Sequence, residues 1–542
     1  MPRRAKRLSP VLAPLLLALA GCPGARRGPP PERFLPADVR AAVVLPDAGR
    51  AAKDLAALHR TLSGFPGVGD AAALRGGIAA QLGFDPLDPE GLAEAGLDPA
   101  RGAALALLDG PDEPSLLVLP VADVAKVEAL LARLARQRLG AELRREERRG
   151  AASVVTLRRA EGAPPALAYA LVERYALVSA GPAGPAIAGD AAGLDPARAL
   201  AAAPAFAAAR RALGDGEAAV AFLPPRAAAA SGLAPLRDGA AVSLSASEGR
   251  LRVRAAVLLG DRAPGWLAAL APRGAGGALA GRLEAGAALV ARLDADPAVL
   301  GPRLAGLVPA GPREALAARG LDLERDVFAV LGPGGAIAAS LSPRFSLVGL
   351  TGEVLRDDPP RAFELEAVVP VRAGAAEAAL RWARYADPAR PPKAGPDGIV
   401  RVPTPSGEIA WKLVGDRLAL ACGRPGRLEP LLARLEAGAG EAWTPPVAGA
   451  KAALEGGPGG LVLDVPRLAR SVRSLPPSSF GAGPTGFVVR SVIDRFVAPA
   501  ERLSAVWLRA ELLGDAVVVT LEAAARPADG ERERAREGAP AP

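Results

Sequence analysis

Histidine is almost absent: His59 is the only one in 542 residues. One imidazole excludes a His-based metal cluster and a metalloprotease motif. A Ser-His-Asp triad is not excluded by composition, but no Gly-x-Ser-x-Gly elbow places a serine near His59, and no Ser-x-x-Lys pair offers a histidine-free alternative. Cysteine is nearly as scarce, with Cys22 and Cys422 lying 400 residues apart (422 − 22). Aromatic residues make up 4% of the chain, and only six of the 66 basic residues are lysine, leaving 60 arginines (66 − 6). Charges of both signs are interspersed without basic–aromatic clusters. Nucleic-acid binding, which needs concentrated positive charge and stacking groups, is therefore not expected.

What is present begins at the N-terminus. Arg3, Arg4, Lys6 and Arg7 precede an apolar stretch from Val11 to Ala20, which is too short to span a bilayer as a helix. It ends in Leu19-Ala20-Gly21-Cys22, which resembles the lipobox of bacterial lipoproteins. That resemblance implies cleavage after residue 21 and thioether diacylation of Cys22, so residues 1–21 are expected to be a signal peptide and Cys22 the attachment point. Two or three acyl chains anchor stably where one binds only marginally. Residues 22–33, including "PGARRGPPPE", read as a stiff Pro-rich tether. The expected location is the cell envelope, on the outer membrane facing the periplasm. The formal charge of +8 falls to +4 once the four basic residues of 1–21 are removed (8 − 4). With Cys22 acylated, Cys422 is the sole thiol and no intramolecular disulfide can form.

The mature 521 residues (542 − 21) exceed one core and suggest at least two domains. Leu167–Gly184, "LAYALVERYALVSAGPAG", matches Ile409–Gly426, "IAWKLVGDRLALACGRPG", at an offset of 242 (409 − 167). "AVAFLP" at Ala219 pairs with "VLDVP" ending at Pro466 at the same offset, and "LPVADVAKVEAL" from Leu119 pairs with "VPVRAGAAEAAL" from Val369. "GLDPARGAALALL" from Gly96 resembles "GLDLERDVFAVL" from Gly320, and "LPADVRAAVVLPD" from Leu35 echoes "LEAGAALVARLDAD" from Leu283. Each half closes with a strand pair, Ala241–Val257 and Ser504–Glu522. The expected organisation is a duplication, with one repeat domain over 34–270, a second over 280–525, and a low-complexity disordered tail over 526–542.

Within each half the hydrophobic period alternates between helix and strand. Lys53–Leu62 reads as a helix; Asp123 caps another whose stripe is Val124, Val127, Leu131 and Leu134, with Gly140 at its end. Val172–Tyr175 and Val414–Arg417 read as tight hairpin turns, which join antiparallel strands only. The expected fold class is α+β: two duplicated domains, each a mainly antiparallel sheet with helices packed on one face. "GLDLERDVFAVLGPGGAIAASL" (Gly320–Leu341) also resembles the hallmark of a bacterial family of exported, often lipid-anchored, repeated α+β proteins of unknown function. The first half departs from it, with Leu107-Leu108-Asp109-Gly110 where Leu-Gly is expected. The resemblance implies no activity.

Each chemically capable group has a structural reading. His59 lies on or beside an apolar helical stripe. Cys422 alternates with Leu418 and Leu420, and alanine (Ala180) stands at its place in the first half, as at a packing position. Gly332–Gly335 reads as a hairpin turn and Gly456–Gly460 as a loop; neither continues into a phosphate-binding motif. Asp294 and Asp296, and the Asp322, Glu324, Asp326 group, invite a hard cation but lack the ordered spacing of a calcium loop, so caps and turns explain them better. Tyr169 and Trp411 occupy equivalent strand positions, as for shared packing. Trp266, Trp382 and Trp507 form no carbohydrate-binding ladder. No catalytic, cofactor-binding or metal-binding residue is assigned; the assigned site is lipidation at Cys22. The expected function is a non-enzymatic, lipid-anchored envelope protein with a binding or scaffolding role toward an envelope protein. The alternative is a periplasmic carrier or chaperone for a hydrophobic ligand, a lipid or an outer-membrane polypeptide. A serine or carboxylate hydrolase is a third reading.

Overall fold

The computed structural model describes residues 28–526, apart from 63–64, 66–70, 86, 111–112, 151, 231–235, 248, 275, 306–309, 319, 348–349, 351–357, 387–391 and 438–440. Residues 1–21, Cys22 and the tail from 527 lie outside the described residues. The chain divides into two compact units. The first ends at Gly260 and also takes in Leu513–Val518; the second begins at Asp261. This boundary precedes that read from the sequence because the helix Ala263–Leu270 packs forward: Ala269 is buried with Ala295 and Leu300.

The first unit contains strands β1 (Ala41–Leu45), β2 (Ala103–Leu107), β3 (Ser115–Pro120), β4 (Leu143–Arg149), β5 (Ala152–Arg158), β6 (Pro165–Val172), β7 (Tyr175–Ala180), β8 (Ala219–Leu223), β9 (Ala240–Ser247) and β10 (Arg250–Leu258). They pair antiparallel in the order β4-β5-β6-β7-β3-β2-β1-β8-β9-β10. The β6–β7 hairpin turns on Glu173 and Arg174, both left-handed at φ 48° and 65°, the geometry of a two-residue turn matched to strand twist.

Helices α1 (Ala48–Leu62) and α2 (Val124–Leu134) cover one face of this sheet, and α3 (Pro204–Leu213) the other. Leu105, Leu117 and Leu119 share a core with Ala51 of α1 and Val127, Leu131 and Leu134 of α2. Their neighbours Ala104, Leu116 and Val118 share a second core with Phe206, Ala209 and Leu213 of α3. The helices are therefore not confined to one face, as the sequence suggested. The cause is visible in "AALAL" and "SLLVLP": runs apolar without alternation leave both faces needing cover. The capping of α2 is as expected, with the Lys126 amide donating to Asp123 Oδ1 at 3.2 Å. The chain then makes one π turn over Ala135–Leu139 before Gly140 ends it at φ 62°. Asp123→Ala should lower the stability of this unit by about 1 kcal/mol in denaturant titrations followed by circular dichroism.

The end of the expected tether is folded rather than free. Pro31–Phe34 is a 3-10 turn with Pro31 and Phe34 buried. Tyr175 Oη donates to the Pro29 carbonyl at 2.9 Å, and Arg33 Nη1 donates to the Leu194 carbonyl at 2.7 Å. Burying Phe34 against Tyr175, with ring centroids 5.2 Å apart, outweighs the extended preference of the prolines.

The second unit contains β11 (Leu289–Leu293), β12 (Gly335–Leu341), β13 (Phe363–Pro370), β14 (Val400–Thr404), β15 (Gly407–Val414), β16 (Arg417–Gly423), β17 (Gly459–Leu463) and all but residues 513 and 516–518 of β18 (Leu503–Leu513) and β19 (Ala516–Ala525). Pairing runs β14-β15-β16-β13-β12-β11-β17-β18, again antiparallel. β18 and β19 are tied by the Arg526 amide on the Arg502 carbonyl at 2.6 Å and by Ser504 Oγ on the Ala524 carbonyl at 3.0 Å. The two units thus share a pairing order, with β4 the extra strand of the first. The register agrees too: Tyr169 faces Val178 as Trp411 faces Leu420, and Val118 faces Leu177 as Val368 faces Ala419. The architecture is α+β with antiparallel sheets.

Helices α4 (Ala375–Ala386) and α5 (Leu428–Ala437) take opposite faces of the second sheet. Trp411 and Leu418 pack with Ala379 of α4, whereas Ala419 and Ala421 pack with Leu428, Leu431 and Leu432 of α5. Two further helices, α6 (Val465–Ser474) and α7 (Pro484–Ala500), follow β17. Gly332–Gly335 is not a hairpin turn: the apolar run before it forms a π turn, Leu323–Phe328, so the glycines lead a loop into β12.

Candidate functional site

The residues whose chemistry invites a role are, for the most part, held by structural partners. In the first unit, Tyr169 Oη donates to Glu128 Oε1 at 3.0 Å, and burial foremost, with that carboxylate, raises the phenol's pKa. Trp411, its counterpart, has no acceptor for its indole N–H among the described residues. His59 is half-buried on α1, with Nε2 shielded from solvent and unpartnered among the described residues. In the second unit, Cys422 is buried on β16, and burial pushes its thiol up to about 12. At neutral pH the thiolate fraction is then on the order of 10³ lower than for a free cysteine. In a Cys22→Ser chain, where Cys422 is the only thiol, an aromatic disulfide reagent at pH 8 should react only after denaturant is added. Prompt stoichiometric reaction of the native chain would contradict this.

Four of the five carboxylates read as possible cation ligands are engaged by arginine or backbone, and Glu324, the fifth, is exposed. Asp294 accepts from the Gly276 amide at 2.6 Å and pairs with buried Arg292. Asp296 pairs with Arg372 at 2.5 Å and Arg273 at 3.8 Å, and caps the next helix through the Ala298 amide at 3.0 Å. Burial alone would raise its pKa, but Arg372 and that amide outweigh it and the net direction is down. Asp322 caps the π turn through the Arg325 amide at 2.8 Å, while Asp326 turns inward between Arg325 and Arg381, each at 2.8 Å. Among the described residues no three His, Cys, Asp or Glu side chains gather in a way that could hold a metal ion.

The glycine-rich segments likewise have backbone work. The Gly332 and Gly334 amides donate to the carbonyls of Pro370 (2.6 Å) and Leu293 (3.0 Å). Of Gly456–Gly460, read as a loop, Gly459 and Gly460 begin β17, and the loop before them turns carbonyls inward: Arg292 donates to Gly457 O at 3.1 Å and to Gly456 O. A phosphate needs free N–H donors, and this loop presents acceptors.

A buried ionic cluster on the α5 side of the second sheet was not legible beforehand. Glu364 and Glu366 of β13 face inward, and Arg427 and Arg434 reach them at 2.7 and 2.6 Å. Glu284 pairs with Arg427, and its amide donates to Glu366 Oε2 at 2.9 Å. Burial raises the Glu366 pKa, while Arg434 and Arg427 oppose that rise. Each of these carboxylates has an arginine partner.

Space for a ligand occurs in the first unit. A cleft of about 670 Å³ has Leu108, Leu116 and Ile187 among its apolar walls and Arg149, Asp190 and Arg198 among its polar ones. A smaller cavity of about 160 Å³ lies beside Gly28–Glu32, with Arg101 and Tyr175 in its wall. Arg101 there is engaged by Asp98 at 3.4 Å and by the Glu173 carbonyl at 3.1 Å. No helix among the described residues is long and apolar enough to cross a membrane.

No protein-family model and no curated protein matches the chain. Among solved structures, crystal form IV of TP0453 is similar with a TM-score of 0.24 and 8% identity, covering 45% of this chain and 86% of that one. Crystal form III matches with a TM-score of 0.24 and 8% identity over 45% of this chain and 88% of that one. At these scores the likeness carries no functional assignment.

Proposed function

We propose that this is a lipid-anchored envelope protein with a non-catalytic binding or scaffolding role, tethered through Cys22. The observation that carries the anchor is the order of basic residues, apolar stretch and Leu19-Ala20-Gly21-Cys22. The non-catalytic part is supported by the engagement of its reactive groups. The Cys422 thiol is buried and pushed up to about 12. Asp294, Asp296, Asp326, Glu364 and Glu366 are matched to arginines. A catalytic carboxylate or thiol needs a reactive protonation state and access to substrate, and these groups are held for packing instead.

The cleft in the first unit favours a second reading, a carrier for an amphiphile. Its apolar walls suit an acyl chain and Arg149 and Arg198 suit an anionic headgroup. Native mass spectrometry of the Cys22→Ser chain, purified without detergent and followed by organic extraction, separates the two. A bare chain is the result expected for a scaffold. A stoichiometric co-purifying lipid, lost in an Arg149→Ala/Arg198→Ala variant, would make the carrier reading correct.

A further inference from the structure

Helix α7 of the second unit is apolar beyond its inward stripe. Its inward stripe, Gly486, Val489, Ile493 and Val497, is the expected i, i+3, i+7, i+11 series, and Gly486 and Val497 are buried. Yet a second, solvent-exposed flank is also apolar. Phe487 is 67% exposed, Val488 64%, Val492 48% and Phe496 48%. Val488, Val492 and Phe496 are four residues apart and form one ridge along a flank of the helix, whereas Phe487, nine residues before Phe496, stands on the other flank. Soluble helices place charge there, so an exposed ridge of two valines and a phenylalanine calls for a partner.

The surrounding charge selects which partner. Residues 465–502, which contain α6 and α7, hold Arg467, Arg470, Arg473, Arg490, Arg495 and Arg502 against Asp494 and Glu501, a net charge of +4 (6 − 2). Arg470, Arg473, Arg495 and Arg502 are exposed. Asp494 is held by Arg490 at 3.0 Å and Glu501 by Arg473 at 2.9 Å. A second copy of the chain is disfavoured, because a two-fold interface sets a patch against itself and would bring like charges together. An apolar ridge with an arginine margin instead matches the boundary between acyl chains and anionic headgroups, where such a helix lies flat.

We propose that α7 docks in the plane of an anionic phospholipid surface, with Val488, Val492 and Phe496 in the acyl boundary and arginines of α6 and α7 on the phosphates. The helix of 17 residues would lie about 25 Å along the membrane. The contact is independent of acylation at Cys22.

The test uses the full-length chain carrying Cys22→Ser and Cys422→Ala, with Ser491→Cys on the outer face of α7 labelled by an environment-sensitive fluorophore. Vesicles of phosphatidylglycerol and phosphatidylethanolamine should shift its emission to the blue, and roughly 1 M salt should weaken the binding. Val492→Ser/Phe496→Ser, at exposed positions on the ridge, should lower the partition coefficient by about tenfold or more while leaving the melting curve unchanged. Unshifted emission of the labelled chain would overturn the proposal, and this reading does not depend on the serine variant folding. So would equal partitioning of the variant, or equal binding to neutral phosphatidylcholine. A dimer that the variant dissociates, without any vesicle response, would assign the ridge to a second copy and equally overturn it.

Discussion

Arg434→Ala is expected to destabilise the second unit by about 3–5 kcal/mol, whereas replacing Glu366 and Arg434 together by leucine should be near neutral or stabilising by about 1–4 kcal/mol. Glu366 is 1% exposed, and Arg434 Nη2 lies 2.6 Å from it. Removing the arginine leaves a carboxylate shielded from water with less compensation, and Arg427 Nε, 4.0 Å away, is already committed to Glu364 through its Nη1. The paired substitution removes both desolvated charges at once. The first unit supplies the precedent within the chain: by the shared register, the position of Glu366 is occupied there by Leu116, which is 1% exposed. Denaturant titration followed by tryptophan emission reads the right unit, since all five tryptophans (266, 382, 411, 443 and 507) belong to the second. Equal losses for the single and double variants would show that the cluster stabilises the unit outright.

Acid should strike the same unit at Asp326. Its side chain is fully buried, and its pKa is held down to about 2, first by Arg325 and further by the Asp322 amide and Arg381 against the opposing effect of burial. The folded value lies below the unfolded one of about 3.9, so the contribution is present above that pH and is lost as pH falls toward 2. The linkage amounts to at most about 2.6 kcal/mol, and the 66% exposure of Arg325 reduces it to about 2. Asp326→Asn should therefore lower stability at pH 7 by about 2 kcal/mol and flatten its fall between about pH 4 and pH 2. Trp382, whose Nε1 donates to the Asp326 carbonyl at 2.8 Å, provides a probe at the site. An unchanged acid profile in the variant would refute the assignment.

The hairpins were legible because turn chemistry and apolar runs are local: "VERY" and "VGDR" sit where β6–β7 and β15–β16 turn. The α2 cap was legible for the same reason, through Asp123 and the following Val127, Leu131 and Leu134, although Val124, read into the same stripe, is 50% exposed. The ionic cluster was not. In "FELEAVVP" the alternation points Phe363 and Leu365 to a core and both glutamates to water, yet Phe363 is 42% exposed and the glutamates are buried. The inversion comes from Arg427 and Arg434, roughly 60 residues away in sequence, whose charge makes the glutamate face the interior one. The apolar series of α7 misleads in the opposite way: it reads as a core helix, and only packing reveals that one of its two apolar faces has no cover among the described residues. The acidic residues near 294 and 322 were legible as caps in part, but two of their arginine partners, Arg372 and Arg381, come from the distant turn after β13 and from α4.

The proposed anchor at Cys22 is the centre of the functional account. The decisive measurement is fractionation of cells expressing the wild-type chain or Cys22→Ser, with membranes washed in roughly 1 M salt, where charge-dependent surface contacts are screened within about 3 Å. The account predicts that wild type stays with the washed membrane and Cys22→Ser is released. Retention of Cys22→Ser after that wash would contradict it.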